Sequence, residues 1–497
     1  MFKNFPGYKL LESLQKKKSH KRERKFPLNA IKLIFIIAVT SVIALLPTES
    51  FGIEGLTAIH QRIIALFVFA ALMWLTETMP SWVTSMIVVT VMLFTVSTSS
   101  LSFLRPEDGV GLVPFKSIFA CFSNPTIMLF IGGFVLAIGL TKVKLDVALA
   151  RVLLKPFGTR SEIVLLGFIL VTAIFSAFVS NTATAAMMLA FLTPVLKSLP
   201  ADGKGRIALA LAIPVGANLG GMITPIGTPP NMIALDYLSS QGMGISFVDW
   251  TIKMAPFVIV LLVISWILLR VLFPFKQKNI KIEIEGEINW NYKTWSVVVA
   301  FALTIFMWMF GTDLWNVDTN VVAMIPIAIF CATGILTRRD LEEINWSVLW
   351  MVAGGFALGV ALNYSDANSA SLSSLIVKSV PFDNFSPLVV MILAGLICFG
   401  FSNFISHSAA TSLLVPVLGV VAGGLGEALN GFGGPQAMLV GIAIASSVSM
   451  ILPISTPPNA IAHSTGFIQQ KDMMLVGIIV GVVGLVLGYG MLIFIGF

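Results

Sequence analysis

The stretch PIGTPPNMIA, Pro225 to Ala234, decides the fold because it occurs twice in the chain. It returns 228 residues later as PISTPPNAIA, Pro453 to Ala462. Two adjacent prolines cannot sit inside a helix, since each removes a backbone donor and clashes with the preceding turn at a cost of about 3 kcal/mol or more. Proline is accepted in the first turn of a new helix. Each copy therefore predicts an apolar span broken into two half-helices, at 224–231 and at 452–459.

A second pair of matching segments lies upstream of the first. FSAFVSNT, Phe175 to Thr182, corresponds to FSNFISHS, Phe401 to Ser408. The apolar stretches that hold these segments, 161–200 and 386–420, are too long for one simple span, and polar residues interrupt them. We interpret both as re-entrant hairpins, whose tips must be buried in protein or line a wet cavity. A duplicated, proline-broken, hydroxyl-rich element within apolar sequence is typical of transporter binding sites.

The composition places the chain in a membrane. Of its 497 residues, 57% are hydrophobic and 11% are charged, with a mean hydropathy of +0.94, whereas a soluble protein carries about 25% charged residues. This excludes a soluble protein with a large core. We predict an all-α polytopic membrane protein with about eleven transmembrane spans and two re-entrant hairpins. The spans are expected at 31–47, 61–78, 83–98, 126–141, 205–223, 253–273, 295–311, 319–337, 345–363, 435–452 and 473–496.

Basic residues predict the orientation in the membrane. Nine Lys or Arg residues fall in the first 25 positions. This basic tail, 1–30, indicates a cytoplasmic N-terminus rather than contact with nucleic acid. The later basic residues fall mainly on the same side, provided that each hairpin returns to the side from which it entered. The C-terminus is then expected outside the cell. The membrane is expected to be that of a bacterial cell.

The chain divides into two related halves. A first span and loop at 31–60 precede a first repeat at 61–275, a cytoplasmic linker at 276–294 and a second repeat at 295–497. Each repeat has five spans and one hairpin, and Trp74 of the first corresponds to Trp308 of the second. An odd number of spans inserts the second copy upside down, so we predict an inverted-repeat transporter.

Polar groups at the tips and breaks suit an anion. Ser180, Asn181 and Thr182 offer two hydroxyls and one amide, which can donate to a carboxylate or accept from the shell of a cation. Half-helix N-termini at the breaks carry a partial positive charge. The motifs contain no Asp or Glu, and Glu77 lies at a span end. Cation transporters and proton pumps usually carry acids at membrane depth, so we predict an anionic substrate.

Other classes of function fit the sequence less well. Three scattered cysteines and four histidines form no metal spacing and no disulfide framework, so we expect no metal site and no cofactor. Ser406, His407 and Ser408 are adjacent, and adjacent residues rarely align as nucleophile and base. We therefore expect no enzyme and no catalytic residue. A channel is a third class, which saturable flux stimulated by counter-substrate would exclude.

His407 stands where the first copy has Asn181. Two interpretations stay open. It is either a neutral histidine whose ring is satisfied by nearby backbone, or a donor or positive charge beside the bound anion.

These motifs resemble those of the divalent anion/sodium symporter family, in particular its bacterial INDY-like dicarboxylate carriers. The resemblance covers nearly the whole chain. The most specific stretch is SMILPISTPPNAI, Ser449 to Ile461, and Ser180-Asn181-Thr182 is similar to the first hairpin tip of the family. The resemblance implies a homodimer in the lipid membrane, in which each protomer has a scaffold and a transport domain that moves like an elevator.

The resemblance also implies roles for individual residues. The hairpin tips would grip the carboxylates of the substrate, and the loops of the broken spans would line the site. The implied substrate-binding residues are Ser180, Asn181, Thr182, Gly227, Thr228, Pro229, Ser406, His407, Ser408, Thr456 and Pro457. Na⁺, where the family uses it, would lie between each tip and its neighbouring loop, near Ser180, Asn181, Gly227, Ser406 and Ser455.

The second tip departs from the family pattern. Sodium-coupled members usually repeat Ser-Asn-Thr there, and this chain has Ser406-His407-Ser408. A protonated histidine could offset part of the negative charge that Na⁺ offsets elsewhere. We therefore predict sodium-independent exchange of C4 and C5 dicarboxylates such as succinate, malate, fumarate and 2-oxoglutarate. The alternative is a sodium-coupled dicarboxylate symporter.

Overall fold

The computed structural model describes residues 26–106, 111–200, 203–280 and 289–497. Most of the basic tail and linker positions 281–288 lie outside these ranges. The helices of the first half are α1 (Phe26–Leu45), α2 (Ala58–Thr76), α3 (Ser81–Thr95), α4 (Phe115–Ala120), α5 (Pro125–Lys142), α6 (Leu145–Leu154), α7 (Ser161–Phe178), α8 (Asn181–Ser198), α9 (Gly205–Gly220), α10 (Pro229–Ser240) and α11 (Phe247–Leu272).

From α12 onward, the second half repeats the order of elements that begins at α2 in the first half. Its helices are α12 (Tyr292–Trp315), α13 (Thr319–Val322), α14 (Met324–Ala332), α15 (Arg338–Glu342), α16 (Trp346–Asn363), α17 (Leu372–Ser379), α18 (Pro387–Phe404), α19 (His407–Leu425), α20 (Gly434–Ser447), α21 (Pro457–Ser464) and α22 (Gln470–Phe494).

The two buried tryptophans singled out in the sequence make matching contacts. Trp74 Nε1 donates to Ser81 O over 3.1 Å, and Trp308 Nε1 donates to Thr319 O over the same distance. Each bond ties one helix to the start of the next helix in its half. The match supports the correspondence of α2 with α12 and of α3 with the α13–α14 segment.

Nine helices in the described ranges are long and apolar enough to cross a membrane, and five more apolar helices are shorter. The shorter set includes α9 and α20, each of which is the first half of a broken span. With the solved structures compared below, these helices confirm the prediction of an all-α polytopic membrane protein.

Each long interrupted stretch folds as a helical hairpin with a turn of two residues. The first hairpin pairs α7 with α8, and the second pairs α18 with α19. The residue before each second helix is an extended serine that caps it: Ser180 accepts from Ala183 N, and Ser406 accepts from Ala409 N. Serine is a preferred N-cap because its side chain satisfies a backbone donor that the helix leaves open.

The asparagine of the repeated motif holds each break open. Asn231 Nδ2 donates to Gly221 O and Thr224 O, and Asn459 Nδ2 donates to Met450 O and Leu452 O. Both asparagines are almost fully buried. A broken span frees backbone carbonyls that cannot remain unsatisfied in an apolar environment, and these two amides satisfy them.

The helices sort into two groups by their packing. The hairpins, the broken spans, α11 and α22 pack mainly against one another, and we call them the body. The remaining helices, α1–α6 and α12–α17, form what we call the frame. Close packing within the body needs small residues: a Cβ at Gly220 would lie 2.4 Å from Ala173 O of α7. The two groups meet mainly where α16 and α17 pack against α19, with further contacts between α6 and α7 and between α11 and α12.

Candidate binding site between two hairpin tips

Both hairpin tips and both breaks line one cavity of about 340 Å³, which we call the tip cavity. Every residue that the sequence predicted for substrate binding is in its wall. Those residues are Ser180, Asn181, Thr182, Gly227, Thr228, Pro229, Ser406, His407, Ser408, Thr456 and Pro457. Ser455, proposed near a second Na⁺, lines it as well. The frame completes the wall with residues of α3, α5 and α16.

Four helix N-termini converge on the tip cavity, those of α8, α10, α19 and α21. Each brings a partial positive charge that favours an anion. They differ in the donors that they offer. The first two residues of α10 and of α21 are prolines, which have no N–H group. The first two residues of α8 and α19 retain theirs, and an α-helix leaves these groups without an intrahelical acceptor.

The hairpin tips are therefore the parts of this site best suited to donate hydrogen bonds to a carboxylate. The broken spans contribute their dipoles and the hydroxyl groups of Thr228 and Thr456, the threonines at their N-cap positions. The sequence predicted helix N-termini at the two breaks and side-chain donors at the tips, so the backbone donors of the tips emerge only from the structure.

The first tip is organised around the amide of Asn181. The amide atom that faces α7 lies 2.6 Å from Ser176 Oγ, 3.1 Å from Gly227 O and 3.3 Å from Ala217 O. With its nitrogen placed there, the amide donates to these acceptors. Gly221 makes room for it, since a Cβ at that position would lie 2.6 Å from Asn181 Oδ1.

The second tip is organised around the imidazole of His407. The residue is 8% exposed, and its Nε2 lies 2.6 Å from Ser449 O. A carbonyl can only accept, so the ring carries a proton on Nε2 and donates it. The backbone carbonyl of His407 accepts from Ser446 Oγ and Thr411 Oγ1. Hydrogen bonds thus hold both the ring and the backbone carbonyl of His407. This fits the interpretation of a ring satisfied by backbone, and the residue also lines the cavity.

A contact between the two halves lies in the wall of the tip cavity, and no pattern in the sequence indicated it. Asn218 Nδ2, on α9, donates to Thr456 Oγ1 over 3.2 Å and to Asn459 Oδ1 over 3.0 Å. Asn218 precedes the first repeated motif by seven positions. In the sequence it is one polar residue in an apolar helix, and its partners are apparent only from the packing of the two halves.

The charges around the tip cavity are few. Its described lining contains no Lys or Arg and one carboxylate, that of Glu77. Glu77 is exposed and ends α2 in a left-handed conformation with φ of 45°. Binding of an anion here therefore depends on helix ends, backbone N–H groups, hydroxyls, amides and His407.

A second cavity, of about 490 Å³, lies between body and frame at the far end of α10. We call it the α10-end cavity. Asp236 lines it, and Asp236 Oδ1 accepts a hydrogen bond of 2.7 Å from Thr126 Oγ1 of α5. Asp236 was not predicted from the sequence, where Glu77 was the acid singled out beside the spans. The available signal was its position in the half-helix that begins at Pro229.

Helical hairpins and broken spans that meet at one cavity within a polytopic helical fold define a membrane transporter rather than an enzyme. The comparison with known families agrees: the citrate transporter family matches residues 71–432. The chain belongs to this family. An uncharacterized transporter of Haemophilus influenzae is 30% identical over 91% of this chain and 94% of its own length.

Two further relatives carry a substrate in their names. The sodium-dependent dicarboxylate transporter SdcS of Staphylococcus saprophyticus is 28% identical, over 85% of this chain and 84% of the relative. SdcS of Staphylococcus aureus strain USA300 is 28% identical over 94% of this chain and 92% of the relative. These similarities confirm the resemblance to the divalent anion/sodium symporters.

Solved structures support the fold at low sequence identity. The YdaH transporter of Alcanivorax borkumensis, described as having an unusual topology, superposes with a TM-score of 0.52 at 13% identity, covering 88% of this chain and 99% of its own. MtrF of Neisseria gonorrhoeae gives a TM-score of 0.51 at 13% identity, with 92% and 96% covered. At this identity the likeness is one of fold alone.

Proposed function

We propose that this chain exchanges C4 and C5 dicarboxylates across the cell membrane without Na⁺. One observation carries the proposal: two hairpin tips, each with free N–H groups at a helix N-terminus, line the same cavity of about 340 Å³. A dicarboxylate has two anionic ends, and two separate donor groups suit them. The sodium-dependent dicarboxylate relatives support this substrate class.

His407 supports independence from Na⁺ at the second tip. Ser449 O is a backbone oxygen at the break of the span, the type of ligand that a hard cation prefers. Here the Nε2–H of His407 already occupies it at 2.6 Å. The ring N–H therefore occupies a carbonyl that would otherwise be open to a cation. Protonation of the other ring nitrogen would add a positive charge beside the substrate.

The alternative, sodium symport, is favoured by a different observation at the first tip. If the amide of Asn181 turned its oxygen toward Ser176 Oγ, Gly227 O and Ala217 O, four oxygens would face one another. The Ser176 hydroxyl can donate to the amide oxygen, and a cation among the remaining carbonyl oxygens would relieve the rest of that arrangement. Na⁺ takes oxygen ligands of this kind. One Na⁺ at the first tip is thus compatible with a second tip served by His407.

The packing supports an elevator mechanism in which the body moves against the frame. The matched halves support an inverted repeat, with the basic N-terminal tail in the cytoplasm and the C-terminus outside. The exposed apolar helices fit a lipid environment, and by resemblance to the family we propose a homodimer.

The experiment is uptake of radiolabelled succinate by proteoliposomes that contain the purified protein. Internal succinate or 2-oxoglutarate is present or absent, and the external cation is Na⁺ or choline. Uptake that requires internal dicarboxylate and is equal in both cations supports exchange. Uptake driven by a Na⁺ gradient into empty liposomes would establish symport, and no uptake in any condition would contradict dicarboxylate transport itself.

A further inference from the structure

Asp236 is a carboxylate within a membrane segment whose partners belong to the opposite packing group. It lies seven residues after Pro229, about 10 Å along α10 at 1.5 Å per residue. Its Oδ1 accepts from Thr126 Oγ1 over 2.7 Å, and the side chain of Asn124 also bonds to it. Asn124 and Thr126 are the N-cap and second residue of α5, in the frame.

Tyr237, the next residue of α10, makes a similar contact with a second helix of the frame. Tyr237 shares a hydrogen bond with Asn363 at the end of α16, also in the frame. The far end of α10 is therefore attached to two frame helices by polar groups. If the body moves, these contacts must break and the carboxylate must lose its donors.

No basic group of the described residues lines the α10-end cavity, so none there neutralises Asp236. The other titratable groups in the described lining of the α10-end cavity are Tyr237 and Cys121, which lies between α4 and α5. None of the lining residues from α16 or α19 is charged. Ser412 of α19, 1% exposed, lines the same cavity, and its Oγ has no hydrogen-bond partner in the described part of the chain. A buried carboxylate without a counter-charge is costly at membrane depth.

We propose that Asp236 is a proton-binding site that couples reorientation of the body to protonation. In the arrangement seen, the N-terminus of α5 and the Thr126 hydroxyl stabilise the ionised carboxylate. These donors stay with the frame when the body moves, so the ionised group would be stranded. A proton taken up on a carboxylate oxygen removes the charge, weakens the attachment to α5 and allows the movement.

The second half of the chain has no equivalent acid. The residue 228 positions after Asp236 is Ser464, whose hydroxyl donates to Ile461 O of its own helix. The proton therefore acts in the first half of the chain only, on the half-helix α10. This inference rests on the proposed function, because it needs a body that moves with its anionic substrate.

The test compares the pH dependence of succinate exchange in proteoliposomes for the wild type, Asp236→Asn and Asp249→Asn. Asp249 lies in the first turn of α11 and accepts a hydrogen bond from the capping Ser246, so Asp249→Asn is a matched control outside both cavities. The wild type and the control should exchange faster as the pH falls from 8 to 6, by about fivefold or more, as expected for a typical coupling free energy. Asp236→Asn should lose most of this increase, and any pH dependence that remains would come from His407. A variant with the wild-type profile would overturn the proposal.

Thr126→Val keeps the proposal testable should Asp236→Asn fail to fold. Without the hydroxyl donor the carboxylate takes up its proton more readily, so the pH profile should move to higher pH, and Thr126→Ser should restore it. An unmoved profile in Thr126→Val would overturn the proposal. Absence of exchange in the wild type would instead contradict the proposed function.

Discussion

The two hairpin tips have the same backbone plan and different chemistry. Each has a capping serine, a helix that begins at the tip cavity and a neighbouring break braced by a buried asparagine. At the first tip an amide, Asn181, reaches three acceptors in space left by Gly221. At the second tip the corresponding positions are His407 and Ser449, and the imidazole fills the space. An amide can turn its oxygen toward a cation, whereas a ring N–H on a carbonyl cannot, so the first tip is open to a change that creates a Na⁺ site and the second tip is not.

Asn181→Ala should have the largest effect on transport. It removes the amide that holds the first tip against Gly227 and α7. The amide has three neutral acceptors within reach, a net hydrogen bond of this kind contributes about 0.5–1.5 kcal/mol, and each 1.4 kcal/mol is about tenfold in affinity. We expect succinate exchange to fall at least about tenfold at unchanged expression.

The matched control is Asn368→Ala, at an exposed asparagine in the loop after α16. It should exchange at the wild-type rate. Normal flux in Asn181→Ala would show that the first tip does not take part in binding.

Gly221→Ser gives the first tip the residue that the second tip has at Ser449. The added Cβ would lie 2.6 Å from Asn181 Oδ1, so the amide must move away from its acceptors. We expect a severalfold loss of exchange. The reciprocal change, Ser449→Gly, should be milder, because the backbone carbonyl that His407 contacts remains. Equal losses in the two variants would contradict the difference between the tips.

His407→Asn makes the second tip resemble the first. The shorter side chain leaves Ser449 O without its donor, which costs about 1–3 kcal/mol for a buried acceptor. Succinate binding in choline should weaken by roughly fivefold or more, and added Na⁺ should recover part of it. Titration calorimetry in the two cations would measure this. Unchanged affinity and no response to Na⁺ would reduce His407 to a structural residue.

Lys142→Gln should leave substrate affinity unchanged and lower stability. Lys142 Nζ lies 2.5 Å from Asp340, a 4% exposed residue, and thus ties α5 to α15 within the frame. Burial opposes ionisation of Asp340, but hydrogen bonds from Lys142 and Thr337 outweigh it and hold the pKa below its usual range. The pair therefore contributes stability above pH of about 4, and the contribution is lost as pH falls through the lowered pKa.

Thermal unfolding in detergent would check this prediction. Lys142→Gln should unfold at a lower temperature than the wild type at pH 7, with a smaller difference at acidic pH. The control is Arg338→Gln, whose contact with Glu342 is 3.9 Å long and largely exposed. A variant of Lys142 that is as stable as this control would contradict a stabilising role for the pair.

The sequence contained the signals for the fold class and for the set of residues around the tip cavity. Duplicated prolines and serines mark breaks and caps by local rules, so position in the chain is enough to find them. Asn218 and Asp236 obey no local rule. Each is one polar residue in an apolar helix, and its partner lies on a helix far away in the sequence, so only packing shows what it does. The roles of the tip residues in binding remain predictions.

The most direct test of the central claim is equilibrium binding of succinate to the purified wild-type protein in Na⁺ and in choline at the same ionic strength. If His407 and the helix ends supply the anion site, the two dissociation constants should agree within about twofold, a difference of less than 0.5 kcal/mol. Binding that is detectable only in Na⁺, or that is about tenfold or more tighter in Na⁺, would contradict it and would establish a cation as part of the site.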